Sequence, residues 1–176
     1  MVTSEVAIKI EFQTEWFNIV SSETNPGSSE KPYYLIDGPD SVIVLPVTEN
    51  GHIVLVKQYR YSVDRKTIEF PAGYIGNGES AVDAAARELL EETGYKCGEL
   101  KDLGIGTLML NRYIPKQHLF TGLRAVRVKD PTDKDIEVVE VSSSKFKEMI
   151  KTGEFDQLAA IGLWFKSEQV MDLFQS

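Results

Sequence analysis

The chain has 176 residues, is 42% hydrophobic, and carries 27 acidic against 19 basic side chains, for a formal net charge of −8 and a pI near 4.9. That length suits one compact domain with a real core, and the acidity excludes a sequence-independent grip on nucleic acid, which Lys and Arg supply by neutralising phosphates. A phosphate-bearing ligand would need positive charge from elsewhere, and a divalent cation held by carboxylates is one source.

The first residues, Met1 to Ile10, are broken by Thr3, Ser4, Glu5 and Lys9 and so form no signal-peptide core. No apolar stretch is long enough to span a bilayer, so the chain reads as cytoplasmic with no membrane partner. Ile8 to Gln13 alternates apolar and polar residues as a strand does, Asn25-Pro26-Gly27-Ser28-Ser29 punctuates a loop, and Tyr33 to Ile36 is a short aromatic strand. Ser41 to Val47 and His52 to Tyr59 are rich in Val, Ile and Leu, and Glu49-Asn50-Gly51 between them predicts a hairpin turn, because Asn-Gly tolerates positive φ. A helix is predicted from Ser80 to Thr93, with Ser80 as N-cap, Asp83 three residues on, and Gly94 as its C-terminal stop.

Gly104 to Met109, Gln117 to Lys129 and Ile136 to Val141 read as further strands, and Ser144 to about Lys151 as a helix. Asp156 to Phe174 is a last helical stretch, with Leu158, Ile161, Leu163, Trp164 and Leu173 as its core positions. Strands, one helix, more strands and terminal helices make an α/β (α+β) sandwich around a mixed sheet. Cys97 has no second cysteine to pair with, and with only His52 and His118 beside it a zinc site is excluded; it reads as a small half-buried residue.

The chemistry concentrates between Gly73 and Tyr95. Glu79 follows Gly73 after five residues, and after seven more comes Arg87-Glu88-Leu89-Leu90-Glu91-Glu92-Thr93-Gly94. On a helix turning about 100° per residue, Glu88, Glu91 and Glu92 fall within an arc of about 100°. Like charges so spaced cost about 0.2–0.5 kcal/mol per pair, and the helix dipole disfavours anions at a C-terminus. A hard cation reverses that sign, since Mg²⁺ takes carboxylate oxygens and bridges substrate phosphates. Arg87, one turn before Glu91, can orient a carboxylate through its planar fork. Pro71-Ala72-Gly73 and Gly76-Asn77-Gly78 form segments whose backbone can approach a ligand closely.

These residues resemble the Nudix box at every fixed position except the last, where Tyr95 stands for an aliphatic residue. The resemblance implies an α/β/α sandwich with N-terminal antiparallel strands, residues 1–40 serving dimerisation and substrate contact and 41–176 forming the hydrolase domain. It implies Mg²⁺, with Mn²⁺ as a substitute, held by Glu88, Glu91 and Glu92 and by the backbone carbonyl of Ala72. Gln58-Tyr59-Arg60, Glu69-Phe70-Pro71-Ala72-Gly73, His118-Leu119-Phe120 and Asp135 to Glu140 look like the branch that hydrolyses ADP-ribose and other nucleoside diphosphate sugars.

By that likeness Arg60 contacts phosphate or makes a structural ion pair, Glu69 lines the metal or ribose region, and Gly73 lies against the substrate. Trp16 packs in the core, meets a second subunit of a homodimer, or stacks on the base. The branch's Ser-Pro-Gly segment and following glutamate are absent: Met109 to Gln117 stands there, with Pro115 left and Gln117 in place of the acid. This leaves GDP-mannose or another nucleotide sugar open beside ADP-ribose. Nucleoside triphosphates, dinucleoside polyphosphates and a non-cleaving nucleotide sensor are further alternatives. Asp133, Asp135 and Glu137 lie where relatives carry a base, which stays unassigned.

Overall fold

The computed structural model describes residues 8–22 and 32–171, so the loop expected at Asn25 to Ser29 and the core position Leu173 lie outside the described residues. Strands β1 (Ile8–Gln13), β2 (Asn18–Ser22) and β3 (Tyr33–Asp37) pair antiparallel in that order. The turn between β1 and β2 is closed by the Thr14 hydroxyl, which accepts from the N–H groups of Trp16 (3.1 Å) and Phe17 (2.8 Å). Val20 of β2 is buried, while β1 is exposed along its whole length.

The second sheet explains the continuous apolar runs. Strands β4 (Ser41–Thr48) and β5 (His52–Arg60) meet at Val47 and Ile53, beside the predicted turn, where Gly51 takes a φ of 73°. They then splay apart. Strand β6 (Arg65–Glu69) pairs with the far end of β5 and β7 (Ala72–Tyr74) with the start of β4, so the segment around Pro71 fills the opening. After helix α1 (Ala81–Thr93) come β8 (Tyr95–Lys96), β9 (Glu99–Gly106), β10 (Gln117–Arg127) and β11 (Glu137–Ser142), then α2 (Ser143–Thr152) and α3 (Leu158–Met171). Within this sheet the β4–β10 pair is parallel and the other strand pairs are antiparallel, which makes it mixed.

Alternation along β4 and β5 feeds two cores. Val42, Val44 and Val54 face Ala84, Ala85 and Leu89 of α1, whereas Ile43, Leu45, Ile53 and Leu55 face Phe146, Met149 and Leu163 of α2 and α3. A strand covered on both faces has no need of polar positions. Phe70, Phe146 and Phe155 pack with ring centroids 4.7–5.5 Å apart, which fixes the loop before α3 against β6.

Two expectations are corrected. The strand placed at Gly104 to Met109 runs instead from Glu99 to Gly106, because its pairing with β10, which includes a bulge opposite His118 to Phe120, selects that register. Leu158, expected in the core, is 82% exposed at the start of α3, since the helix turns Ala160 and Leu163 inward. No described helix is long and apolar enough to cross a membrane.

Candidate active site

Helix α1 starts and stops where its caps dictate. The Ser80 hydroxyl accepts from the Asp83 N–H (3.2 Å), and Gly94 takes a φ of 75° while its N–H donates to the Leu90 carbonyl (3.0 Å). A Cβ on Gly94 would overlap the Lys129 carbonyl, so glycine is required there twice over. With Ala84, Ala85, Leu89 and Thr93 buried against the sheet, the flank carrying Arg87, Glu88, Glu91 and Glu92 turns toward β7.

Strand β7 meets that flank with alternate backbone groups. Pro71 accepts from the Val44 N–H and Ile75 donates to the Asp40 carbonyl, so these residues point at β4. Ala72 and Tyr74 point the other way. The Ala72 N–H donates to Glu92 Oε2 (3.1 Å), and the Tyr74 carbonyl accepts from Arg87 Nη2 (3.0 Å). The Ala72 carbonyl leaves the strand on the same side as its N–H, toward Glu92. Between them, a Cβ on Gly73 would collide with the carboxylate of Glu88. Gly73 is glycine because Glu88 lies over its backbone.

Arg87 organises half of this cluster. Its Nε and Nη2 grip both oxygens of Glu79 (2.8 and 2.9 Å), while Nη1 donates to Glu88 Oε1 (2.8 Å) and Glu91 Oε2 (3.2 Å). Glu79 Oε2 also accepts from the Gly76 N–H (2.8 Å), closing the loop that Gly78 turns at a φ of 76°. The guanidinium and the Gly76 amide hold the Glu79 carboxyl down at about 2.

Glu92 is the opposite case. Burial first, and the nearby Glu88 charge, push its carboxyl up to about 8, against the opposing pull of the Ala72 N–H and Arg60. A buried carboxylate beside a second carboxylate calls for a counter-charge that these side chains do not complete.

Arg60 and Glu69 form a bidentate pair at the mouth of the β5–β6 hairpin, with Nε to Oε1 and Nη2 to Oε2 both at 2.7 Å. Glu69 is 6% exposed. Burial pushes its carboxyl up, and the Arg60 fork with the Thr67 hydroxyl more than offsets this, leaving it below its ordinary value. The structural ion pair expected for Arg60 therefore exists, and its Nη1 is not engaged by Glu69.

Trp16 stands at the tip of the β1–β2 turn, 61% exposed, outside the chain's own core. Asp133 and Asp135 lie together in an exposed turn, and Glu137 opens β11 within 3.7 Å of Lys57. Cys97 is half-buried, as expected, and burial raises its thiol to about 12, far from a reactive thiolate.

Arg87 orients carboxylates as its place in the motif implies, but its main partner, Glu79, and the Tyr74 carbonyl are not among those expected from sequence. The eight-residue step from Glu79 to Arg87 was the available signal. Tyr95, the departure from the box, is buried with its hydroxyl donating to Glu140 (2.9 Å), which also meets His52 (2.8 Å). The aromatic ring thus serves the core and ties α1 to β11.

The donor set fits a divalent cation in chemistry more than in finished geometry. Among the described residues, no three acidic, Cys or His side chains already converge as a metal cage. Arg87 holds Glu88 and Glu91 instead. What favours the cation is Glu92, buried next to Glu88 and opposite the Ala72 backbone, together with a second oxygen on Glu88 that Arg87 does not take.

A NUDIX domain model matches residues 38–175, and the chain belongs to that family. It is 29% identical over 138 residues to the ADP-ribose pyrophosphatase of Bacillus subtilis (strain 168), covering 73% of this chain and 72% of that protein. It is 33% identical over 130 residues to the GDP-mannose pyrophosphatase of Escherichia coli (strain K12 / DH10B), covering 66% of each. The ADP-sugar pyrophosphatase of Mus musculus is 48% identical over 67 residues, 36% of this chain and 30% of the mouse protein. In three dimensions the chain matches a crystal structure of an ADP compounds hydrolase with a TM-score of 0.80 over 98% of this chain and 97% of that one, at 18% identity. The expected Nudix α/β/α sandwich is therefore the fold.

Proposed function

We propose that the chain hydrolyses the pyrophosphate of a nucleoside diphosphate sugar with Mg²⁺, ADP-ribose giving AMP and ribose 5-phosphate. The observation that carries this is Glu92, buried beside Glu88 and facing the Ala72 backbone, with its carboxyl pushed up to about 8 by burial. The relatives named for ADP-ribose, ADP-sugars and GDP-mannose support the substrate class.

Glu88 and Glu92, with Glu91 beside them and the Ala72 carbonyl, are the groups that would hold the metal. When bound, the ion supplies positive charge to the diphosphate and acidity to a water. Arg87 fixes the rotamers of Glu88 and Glu91, Glu79 fixes Arg87, and the Ala72 N–H fixes Glu92. Arg60, oriented by Glu69, has Nη1 left for a phosphate oxygen, and Gly73 leaves room for the Glu88 carboxylate to lie over the backbone. Exposed Ile8, Ile10 and Phe12 on alternate positions of β1 support a homodimer through the N-terminal sheet, where Trp16 would meet the base or the second subunit.

Product analysis tests the reading. AMP and ribose 5-phosphate should form from ADP-ribose with Mg²⁺ and not with EDTA. GDP-mannose, UDP-glucose, diadenosine polyphosphates and nucleoside triphosphates run in parallel. A preference for GDP-mannose would fit the loss of the branch's acid at Gln117, and turnover of triphosphates alone would refute the proposal.

A further inference from the structure

A hollow of about 430 Å³ opens between β9, β10 and the start of α3. It lies on the α2–α3 side of the sheet, away from α1, because Gln117 at the head of β10 alternates with Leu119 and Thr121 onto that face. Register carries Gln117 to Ser41 and Ser41 to Tyr74, so its Cα lies two strand spacings, about 10 Å, from the strand that meets Arg87.

Three features of its walls point to a ligand. Gln117 is 7% exposed and lines the hollow, yet its Oε1 is sealed from solvent with no hydrogen-bond partner among the described residues. Buried amides are ordinarily satisfied. Gly162 lies within α3, where glycine disfavours a helix, and a Cβ added there would meet nothing within 4 Å among the described residues. Packing does not demand that glycine, and its absent side chain keeps the hollow open. Lys166, one turn further along α3 on the same wall, makes no ion pair among the described residues and presents its ammonium toward Gly104. Leu119, Leu163 and Leu158 supply apolar surface between these polar ends.

We propose that this hollow binds a nucleotide, the Gln117 amide turning out of its sealed position to pair with the edge of the base and Lys166 meeting the attached phosphate. An amide offers one donor edge and one acceptor edge in a plane, and rotation of its last bond exchanges them, which matches the adjacent donor and acceptor of a nucleobase. The leucines cover the faces of a flat ring, and the ammonium at one end requires an anion. A lipid tail would have no use for the amide, and a bare sugar none for the leucines. The volume is in the range of small-molecule sites. The bound group is either the nucleoside half of a substrate reaching past the start of α3 or a free nucleotide; the chemistry is the same. The site does not depend on the reaction assigned to the box.

The experiment is calorimetric titration of AMP, and of GMP in parallel, into the protein in EDTA, using wild type, Gln117→Leu, Gly162→Leu and Glu92→Gln. Saturable binding of at least one nucleotide, weakened tenfold or more by Gln117→Leu and by Gly162→Leu and unchanged by Glu92→Gln, is the expected result. Both hollow variants should keep or raise Tm, since one removes an unsatisfied buried acceptor and the other a helical glycine. Absence of binding to wild type, or equal binding to all four proteins, overturns the proposal, as does weakening by Glu92→Gln alone. Steady-state kinetics of Gly162→Leu then separate the two sources. A raised KM with kcat kept means the substrate's own nucleoside enters the hollow, and an unchanged KM means a free nucleotide does.

Discussion

Glu79 and Glu92 belong to one motif, thirteen residues apart, and end at opposite extremes of carboxylate behaviour. Glu79 is gripped by both arms of Arg87 and held at about 2, whereas Glu92 is buried beside Glu88 and pushed up to about 8. The same arginine that satisfies one end also takes one oxygen each of Glu88 and Glu91. One half of the cluster is therefore a finished scaffold, and the other is a buried carboxyl beside Glu88 that lacks a counter-charge. A motif with every charge neutralised would be stable and inert.

The comparison breaks most directly at the unfinished half. Glu92→Gln and Glu88→Gln should each lower kcat/KM by at least about a hundredfold while leaving the fold intact by circular dichroism, since each removes a proposed metal oxygen. Gly73→Ala comes next. Its Cβ would displace the Glu88 carboxylate, and a shift of about 1 Å in such a group costs on the order of a hundredfold; steady-state rates at saturating metal check this, and retained activity would refute the close approach. Arg87→Lys, which keeps the charge but loses the planar fork, should cost about tenfold to a hundredfold, with apparent Mg²⁺ affinity weakened in step.

The smallest effect is on stability. A carboxyl whose pKa rises on folding binds its proton more tightly in the folded state, so stability present at low pH is lost as pH climbs from the unfolded value of 4.5 through about 8. Metal-free protein should therefore lose Tm across that window, Mg²⁺ should restore it at the upper end, and Glu92→Gln should flatten the slope. Thermal melts at intervals of pH read all three. Glu79 contributes in the reverse sense: its stabilisation is present above 4.5 and is lost as pH falls from there through about 2.

The two halves also differ in how far they could be read from sequence. Helix α1, its caps and the shared face of its glutamates follow from local spacing, and so did the strands buried on both faces, β4 and β5. What escaped was set by partners distant in the chain. Strands β6 and β7 are short and interrupted by Pro71, and they exist because β4 and β5 splay and leave backbone groups to be paired. Strand β9 takes its register from β10, which its own residues do not specify. The Ala72 contact to Glu92 spans twenty residues and depends on which backbone groups of β7 face away from β4. The exposure of Leu158 and the orphaned Gln117 oxygen arise from how α3 lies on the sheet, which helical periodicity does not fix.

With its carboxyl raised to about 8, Glu92 should hold a proton at pH 7 until a divalent cation displaces it. Titrating Mg²⁺ into the protein at pH 7, in two buffers of different ionisation heat, measures that exchange. Release of most of one proton per metal bound is expected in wild type and little in Glu92→Gln, with weaker binding in the variant. Metal binding of equal affinity in both proteins, with no proton released from either, would contradict it.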